Sequence, residues 1–323
     1  MTSVTSSLRR NGITGAEFII PCIAIVLGAL LPNQLNFLML VATMAIFVLS
    51  LDLIVGYTGL ATLGHAAFFG VGAYSAGLWS ISVTSEPISG LVVGALAAGI
   101  LAAISGLMIL RAHGLTLLMM TVAFAQIIFE IANKARSITG GDDGLYGIMM
   151  SPIFGIFEFD FYGRTGYAYS VVVLTLVFVG LRVLTTSPFG LSLVGIREDR
   201  SRMSAMGTNV FKHLLASYTI SGAIAGVAGA VTAQTVQVIG LNSLSFSLSA
   251  EALVMLVLGG TGKLWGALVG TAIFMMVHHS VAAADPFRWM LVIGGMLVAV
   301  VLFLPGGLVN AWRPLADRVR ARG

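Results

Sequence analysis

Long apolar runs follow one another along almost the whole chain, with short polar stretches between them. Charged residues make up only 9% of the sequence, against about 25% in soluble domains. The runs are continuous rather than alternating, which indicates membrane-spanning helices rather than β-strands. The sequence therefore predicts an all-α integral membrane protein with about 8–10 transmembrane helices, in which residues 1–323 form a single transmembrane domain. The runs lie at residues 16–31, 35–55, 66–83, 91–110, 115–133, 167–184, 214–234, 250–258, 267–281 and 289–304.

Two of these runs need separate treatment. The run at 250–258 is too short to cross alone, because a perpendicular transmembrane helix needs about 20 residues. We expect it either to extend back into residues 241–249 or to be re-entrant. The run at 16–31 follows Arg9 and Arg10, but no small-residue cleavage site comes after it. We therefore expect an uncleaved helix rather than a signal peptide.

The basic residues predict the orientation. With ten spans, most of them fall on one side, which the positive-inside rule makes cytoplasmic. Both termini are then cytoplasmic, and the loop at 134–166, in which acids outnumber bases, is outside. Basic residues in loops orient a membrane protein, so the net charge of +4 indicates no nucleic-acid partner. The residues on the predicted cytoplasmic side are Arg9, Arg10, Arg111, Arg182, Arg197, Arg200, Arg202, Lys212, Lys263, Arg313, Arg318, Arg320 and Arg322.

The same pattern, Gly-x-Thr-Gly, interrupts two apolar segments, at residues 56–59 and at residues 259–262. Glycine and threonine loosen a helix, and non-helical backbone at membrane depth survives only where protein buries it or a watery cavity receives it. A single small residue more often marks close helix packing. A pair of such breaks in two halves of a chain points to a transport path. We expect the path to be bordered by Tyr57, Thr58, Gly59, His65, Gly260, Thr261 and Gly262.

Few residues offer chemistry. Acids inside a membrane are functional candidates, often as proton relays, but the position of Asp52 just before the first break favours a structural brace. Glu130 and Glu251 are expected near the outer interface. The Gly262-Lys263 pair is no phosphate loop, because Leu264 stands where Ser or Thr is needed. We identify no nucleophile–base pair and no metal-ligand spacing, so the chain is expected to be non-catalytic and to bind no cofactor or metal.

The longest predicted cytoplasmic segment, 187–212, opens with a helix start signal, in which Ser187 caps the helix and Pro188 takes its first position. We expect a helix over 192–207, ended by Gly207. Glu198 and Arg202, four residues apart, are expected to pair on one of its faces.

The same segment places Ile196, Met203 and Met206 on another face of the expected helix. Most charge runs are solvated loops, but a charged helix with an apolar stripe outside the bilayer favours a docking surface. The residues assigned to that docking surface are Arg197, Glu198, Asp199, Arg200, Arg202, Met203, Met206 and Gly207.

Several stretches in combination resemble the permease subunits of leucine/isoleucine/valine-type ABC importers. The similarity covers the chain from about Asp52 to the tail. It is carried by residues 56–74 (GYTGLATLGHAAFFGVGAY), 139–145 (TGGDDGL), 187–221 (SPFGLSLVGIREDRSRMSAMGTNVFKHLLASYTIS), 258–270 (LGGTGKLWGALVG) and 303–308 (FLPGGL).

The resemblance implies an all-helical permease of the bacterial inner membrane. It implies a second related permease, two cytoplasmic ATPases that use ATP, and a periplasmic substrate-binding protein as partners, with the 187–212 segment contacting an ATPase. Branched-chain or other apolar amino acids are the implied substrates, and similar permeases carry urea, short amides and aromatic acids. An ion-coupled secondary transporter that uses Asp52 or Glu251 is the alternative from another class, and a membrane enzyme is the third.

Overall fold

The computed structural model describes residues 19–152 and 163–284, together with residues 294, 295 and 298. Six of the described helices are long and apolar enough to cross a membrane. No β-strand occurs among the described residues; an isolated bridge joins Leu145 to Ile239. The prediction of an all-α membrane protein is therefore confirmed.

The helices follow the predicted apolar runs closely. The six long ones are α2 with its π-helical extension, α4, α5, α6, α9 and α11. Three apolar helices are shorter, namely α1 with 12 residues, α3 with 17 and α10 with 14. The run predicted at 289–304 lies outside the described residues except for three positions. The bounds are α1 Ile19–Leu30, α2 Leu35–Asp52 continued by the π-helix Leu53–Thr58, α3 Ala66–Ser82, α4 Pro87–Ile109, α5 Gly114–Lys134, α6 Arg164–Thr186, α7 Pro188–Glu198, α8 Arg200–Ala205, α9 Val210–Val236, α10 Phe246–Gly259 and α11 Leu264–Ala284.

The short helix α10 answers the question left open for the run at 250–258. It extends back to Phe246, and a 3-10 turn at Leu241–Leu244 precedes it. Ser245 caps it by accepting a hydrogen bond from the Leu248 backbone N–H at 3.3 Å. The apolar segment therefore lengthens in the expected direction but remains shorter than a full span.

The centre of the bundle is formed by α9, which packs against α3, α4 and α2. Small residues let these helices approach closely, as in other membrane bundles. A Cβ added to Gly229 of α9 would lie 2.8 Å from the Ala73 backbone nitrogen and 2.9 Å from the Phe69 carbonyl carbon, both in α3. The side chains of Ala225, Ala228 and Val231 are fully buried in this contact region.

The connections divide between the two ends of the bundle. At one end, Ser80 donates a hydrogen bond to the Met149 carbonyl at 2.8 Å, and the Ser151 N–H donates to the Ser85 carbonyl at 2.9 Å. The Leu145–Ile239 bridge joins the same loop to the connection before α10. The loop that follows α5, which the charge pattern predicts to be outside, thus lies at the same end of the bundle as the α3–α4 and α9–α10 connections. That assignment of sides stays a prediction.

We expect Gly229→Ala to destabilise the fold and Gly180→Ala to leave it intact. The first substitution forces a methyl group against the α3 backbone, which costs about 1–3 kcal/mol. Gly180 in α6 has no atom within 4 Å of an added Cβ, so alanine there is neutral or stabilises the helix by about 0.5–1 kcal/mol. Thermal unfolding of the two detergent-purified variants measures the difference. Equal midpoints would contradict the close α3–α9 packing.

Candidate functional site

The first helix break lies between α2 and α3. The helix α2 widens into the π-helix Leu53–Thr58 and ends at Gly59, whose φ of 72° is left-handed. Helix α3 begins only at Ala66, so residues 59–65 are not helical. Thr58 is 1% exposed, and its hydroxyl donates to the Ile54 carbonyl at 2.6 Å. That hydroxyl is therefore occupied by its own helix rather than free to meet a solute.

The non-helical residues run back along α2 instead of leaving the bundle. His65 contacts Ser50 of α2, which lies about two helical turns before Thr58. Gly64 packs against the Thr121 backbone of α5, well inside that candidate span. Gly59 and Ala61 are exposed, but Thr62, Gly64 and His65 are buried. This buried part of the segment 59–65 is irregular backbone among membrane-spanning helices, a position that requires internal partners for its polar groups.

Hydroxyl groups of other helices supply part of those partners. The Leu63 N–H donates to Thr121 Oγ1 at 3.4 Å, and the Ala66 N–H donates to Ser249 Oγ of α10 at 2.8 Å. Within the segment, the Gly64 N–H donates to Thr62 Oγ1 at 3.3 Å. The Leu60 N–H donates back to the Ile54 carbonyl at 3.2 Å. The sequence analysis did not identify Thr121 or Ser249.

His65 is the centre of a buried polar cluster. Its Nε2 lies 2.9 Å from Ser50 Oγ and 3.3 Å from Ser221 Oγ, and Ser221 also donates to the Ser50 carbonyl at 2.5 Å. The ring stacks on Phe47, with 5.6 Å between centroids, and meets Phe68 edge-on. His65, Ser50 and Ser221 are all 0% exposed. In this conformation His65 therefore ties α3 to α2 and α9 and does not line an open route.

The second break lies between α10 and α11. Helix α10 ends at Gly259, and Gly260 and Gly262 have left-handed φ values of 104° and 76°. Helix α11 starts at Leu264, so this break is much shorter than the first. Gly260 is buried, whereas Thr261 is exposed.

The structure brings the two breaks together. Asp52 Oδ1 accepts a hydrogen bond from the Gly262 backbone N–H at 2.7 Å. A Cβ added to Gly56 would lie 2.8 Å from Gly262 Cα, so the two backbones are in direct contact. Asp52 is 0% exposed. Its carboxylate holds the second break against the first.

Arg197 of α7 joins the same contact. Its Nη1 donates a hydrogen bond to the Gly56 carbonyl, and its aliphatic stem lies over Gly59, where an added Cβ would be 2.9 Å from Arg197 Cγ. We call the set Asp52, Gly56, Arg197 and Gly262 the break junction.

The segment predicted to be one helix over 192–207 is two helices. Ser187 caps α7 as expected, accepting from the Gly190 N–H at 3.4 Å, and Pro188 is its first residue. Asp199 is extended, with φ −156° and ψ 104°, and its carboxylate caps α8 by accepting from the Arg202 N–H at 3.0 Å. The predicted Glu198–Arg202 pair on one helix is therefore wrong, because Asp199 interrupts the helix and Arg202 approaches Asp199 at 3.7 Å.

The expected apolar stripe of this segment is also divided. Ile196 is 0% exposed and belongs to the core. Met203 packs on Gly195, where an added Cβ would lie 2.7 Å from its sulfur. Met206 is 74% exposed, and Gly207 follows the end of α8 with a φ of 85°. Arg202 and Glu198 are exposed as well. The functional roles assigned to these residues stay predictions.

Paired breaks in apolar helices of a multi-pass membrane protein are typical of transporters. Among the described residues no group of three His, Cys, Asp or Glu side chains is placed to hold a metal ion. The family model described as branched-chain amino acid transport system / permease component matches residues 33–301. The chain belongs to this family of ABC transporter permeases.

Individual relatives carry matching names. The high-affinity branched-chain amino acid transport system permease protein LivM of Escherichia coli (strain K12) is 31% identical over 298 residues, which cover 82% of this chain and 67% of the relative. A probable branched-chain amino acid transport permease protein LivM of Methanocaldococcus jannaschii is 23% identical over 313 residues, which cover 81% of this chain and 88% of the relative. A probable branched-chain amino acid transport permease protein LivH of the same organism is 27% identical over 176 residues, which cover 50% of this chain and 55% of the relative. No solved structure matches the chain.

We expect Asp52→Ala to destabilise the protein more than Asp52→Asn does. Alanine leaves the Gly262 N–H without its partner, which costs about 1–3 kcal/mol for a buried donor. Asparagine keeps a side-chain oxygen in the same position and so retains the bond. Thermal unfolding of both variants distinguishes them. A midpoint of Asp52→Ala equal to that of the parent would contradict the bracing role.

Proposed function

We propose that this chain is the transmembrane permease subunit of a binding-protein-dependent ABC importer for branched-chain or other apolar amino acids. A second related permease completes the membrane part, two cytoplasmic ATPases use ATP, and a periplasmic protein delivers the solute. The family supports this proposal, as do relatives named both LivM and LivH. The protein then lies in the bacterial inner membrane with both termini cytoplasmic.

The two-sided arrangement of α7 and α8 carries the proposal. On the inner side, Leu193 and Ile196 are 0% exposed and Arg197 contacts the first break. On the outer side, Glu198 and Met206 are exposed. A segment fastened to the breaks on one side and open on the other is suited to receive a partner that moves it. An ATPase is the partner that this class of transporter supplies.

The breaks border the cytoplasmic mouth of the route in this proposal. Thr261 and Gly59 are exposed there, and Tyr57 is half-buried beside them. These groups offer backbone and a few hydroxyls rather than charges, so they give only weak contacts to a zwitterionic amino acid. Weak contacts favour release over retention, as in other conducting pathways. Selection of the solute is then left to the binding protein.

Uptake by reconstituted liposomes tests the proposal. This chain, its companion permease and both ATPases are reconstituted with ATP on the cytoplasmic side, and labelled leucine is supplied with the binding protein. We expect uptake only when all components and ATP are present. This chain alone should neither hydrolyse ATP nor accumulate leucine under a proton gradient. Proton-driven uptake by the chain alone, abolished in Asp52→Asn, would instead establish a secondary transporter.

A charge reversal tests the outer side of the segment 187–212, which we call the coupling segment. We expect Glu198→Lys to abolish most ATP-dependent uptake while the protein remains folded, because this exposed carboxylate makes no ion pair among the described residues. The readouts are leucine uptake and the thermal midpoint of the same preparation. Arg164→Glu, at the opposite end of the bundle, is the matched reversal and should retain uptake. Parental uptake by Glu198→Lys would remove this residue from the ATPase contact.

A further inference from the structure

We propose that Arg197 is a positioning residue that clamps the two helix breaks together and releases them when α7 moves. The proposal separates Arg197 from its neighbours in the coupling segment. Arg197, Glu198 and Arg202 are all exposed, but of these three Arg197 alone also reaches back to Gly56, 141 residues earlier in the chain. Arg197 therefore has a contact inside the permease that its exposed neighbours lack. The statement that an ATPase moves α7 rests on the proposed function, whereas the clamp itself does not.

The clamp consists of a hydrogen bond from one side chain to the first break and of the close approach of the same side chain to the second break. The guanidinium donates to the Gly56 carbonyl. A Cβ on Gly262 would lie 3.2 Å from Arg197 Nη1 and 3.2 Å from the Gly56 oxygen. The guanidinium therefore sits where the two backbones meet. Hydrogen bonds from a charged donor are stronger than those between neutral groups, so Arg197 contributes more to this junction than a neutral side chain would.

The glycines make this position possible. Gly59 and Gly262 have left-handed φ values, and side chains at either position would press on Arg197. Glycine adopts such backbone at little cost, and a few residues that absorb large φ/ψ changes are what a hinge requires. The same residues thus give Arg197 access to the breaks and allow the breaks to rearrange once it leaves.

The anchoring of α7 shows how motion would reach the clamp. Leu193 and Ile196 fix the helix to the core, while the extended Asp199 separates it from α8. Arg197 lies in the last turn of α7, next to that extended residue. A displacement applied to α8 therefore acts first on the end of α7 that carries Arg197. Loss of the Gly56 contact would leave Asp52 alone to hold the second break.

Accessibility of Thr58 reports the clamp. Thr58 lies in the π-helix between Gly56 and Gly59, and it is buried in the clamped conformation. In a Cys22→Ser background, a single cysteine at position 58 is labelled with a small water-soluble thiol reagent in membranes that contain the assembled transporter. We expect Arg197→Gln to raise the labelling rate about tenfold or more, the factor expected for loss of one charge-assisted hydrogen bond. Arg197→Lys, which keeps a charged donor, should give an intermediate rate.

Arg111→Gln is the matched control, since it removes an exposed arginine at the same end of the bundle and should label at the parental rate. If Arg197→Gln does not accumulate, the Arg197→Lys rate decides. Binding-protein-stimulated ATP hydrolysis should persist in the Arg197 variants while uptake falls, which a purely structural defect would not produce. The clamp would be overturned if Arg197→Gln were labelled at the parental rate, even if ATP-driven uptake is established. Where only Arg197→Lys accumulates, a parental rate in that variant would have the same meaning. Increased labelling in the variants, together with no ATP-driven uptake by the parent transporter, would instead leave the clamp standing and contradict the proposed function.

Discussion

Irregular backbone inside a membrane protein must find its hydrogen-bond partners within the protein. The segment 59–65 imposes this requirement here, because it packs against α2 and α5, which are both long enough to span the bilayer. Thr121 and Ser249 meet it with side-chain oxygens. The need to bring α5 and α10 within reach of one stretch of chain explains why these helices surround the start of α3. The short α3 and α10 are then parts of broken spans rather than incomplete helices.

The second consequence is that the two breaks form one structural unit. Asp52 ties Gly262 to the end of α2, and Arg197 ties both to the coupling segment. Asp52 and Gly262, which are 210 positions apart in the chain, therefore lie in one junction with Arg197 of α7. A transporter needs such a connection, since the energy source acts outside the membrane and the solute moves within it. The polar cluster around His65 holds the other end of the segment to α2 and α9.

The sequence predicted the helices and the breaks because both depend on local properties. Apolar runs locate spans by length alone, and Gly-x-Thr-Gly marks a helix interruption wherever it occurs. Ser187 and Pro188 likewise signal a helix start within a few residues. The partners of segment 59–65 carry no such signal, since a hydroxyl in an apolar helix looks the same whether it binds its own backbone or that of a residue 183 positions away, as Ser249 does.

The errors have the same origin. The spacing of Glu198 and Arg202 favoured one helix, but Asp199 between them can cap a new helix, and that local hydrogen bond prevailed. The assignment of Arg197 to the docking surface stays a prediction, but its second contact was not predicted, because sequence proximity was the available information. Its contact with Gly56 depends on how α7 packs under the π-helix. Tertiary packing, which neighbouring residues do not encode, therefore divided a segment that looked uniform.

Hydrogen exchange on the assembled transporter tests most directly whether the breaks form one unit. The amides of residues 59–66 and 260–263 are to be followed in the parent and in Asp52→Ala. The account predicts that the non-helical amides with internal acceptors, those of Leu63, Gly64 and Gly262, exchange slowly in the parent and lose protection together in the variant. Fast exchange of these amides in the parent, or loss of protection at Gly262 alone, would contradict it.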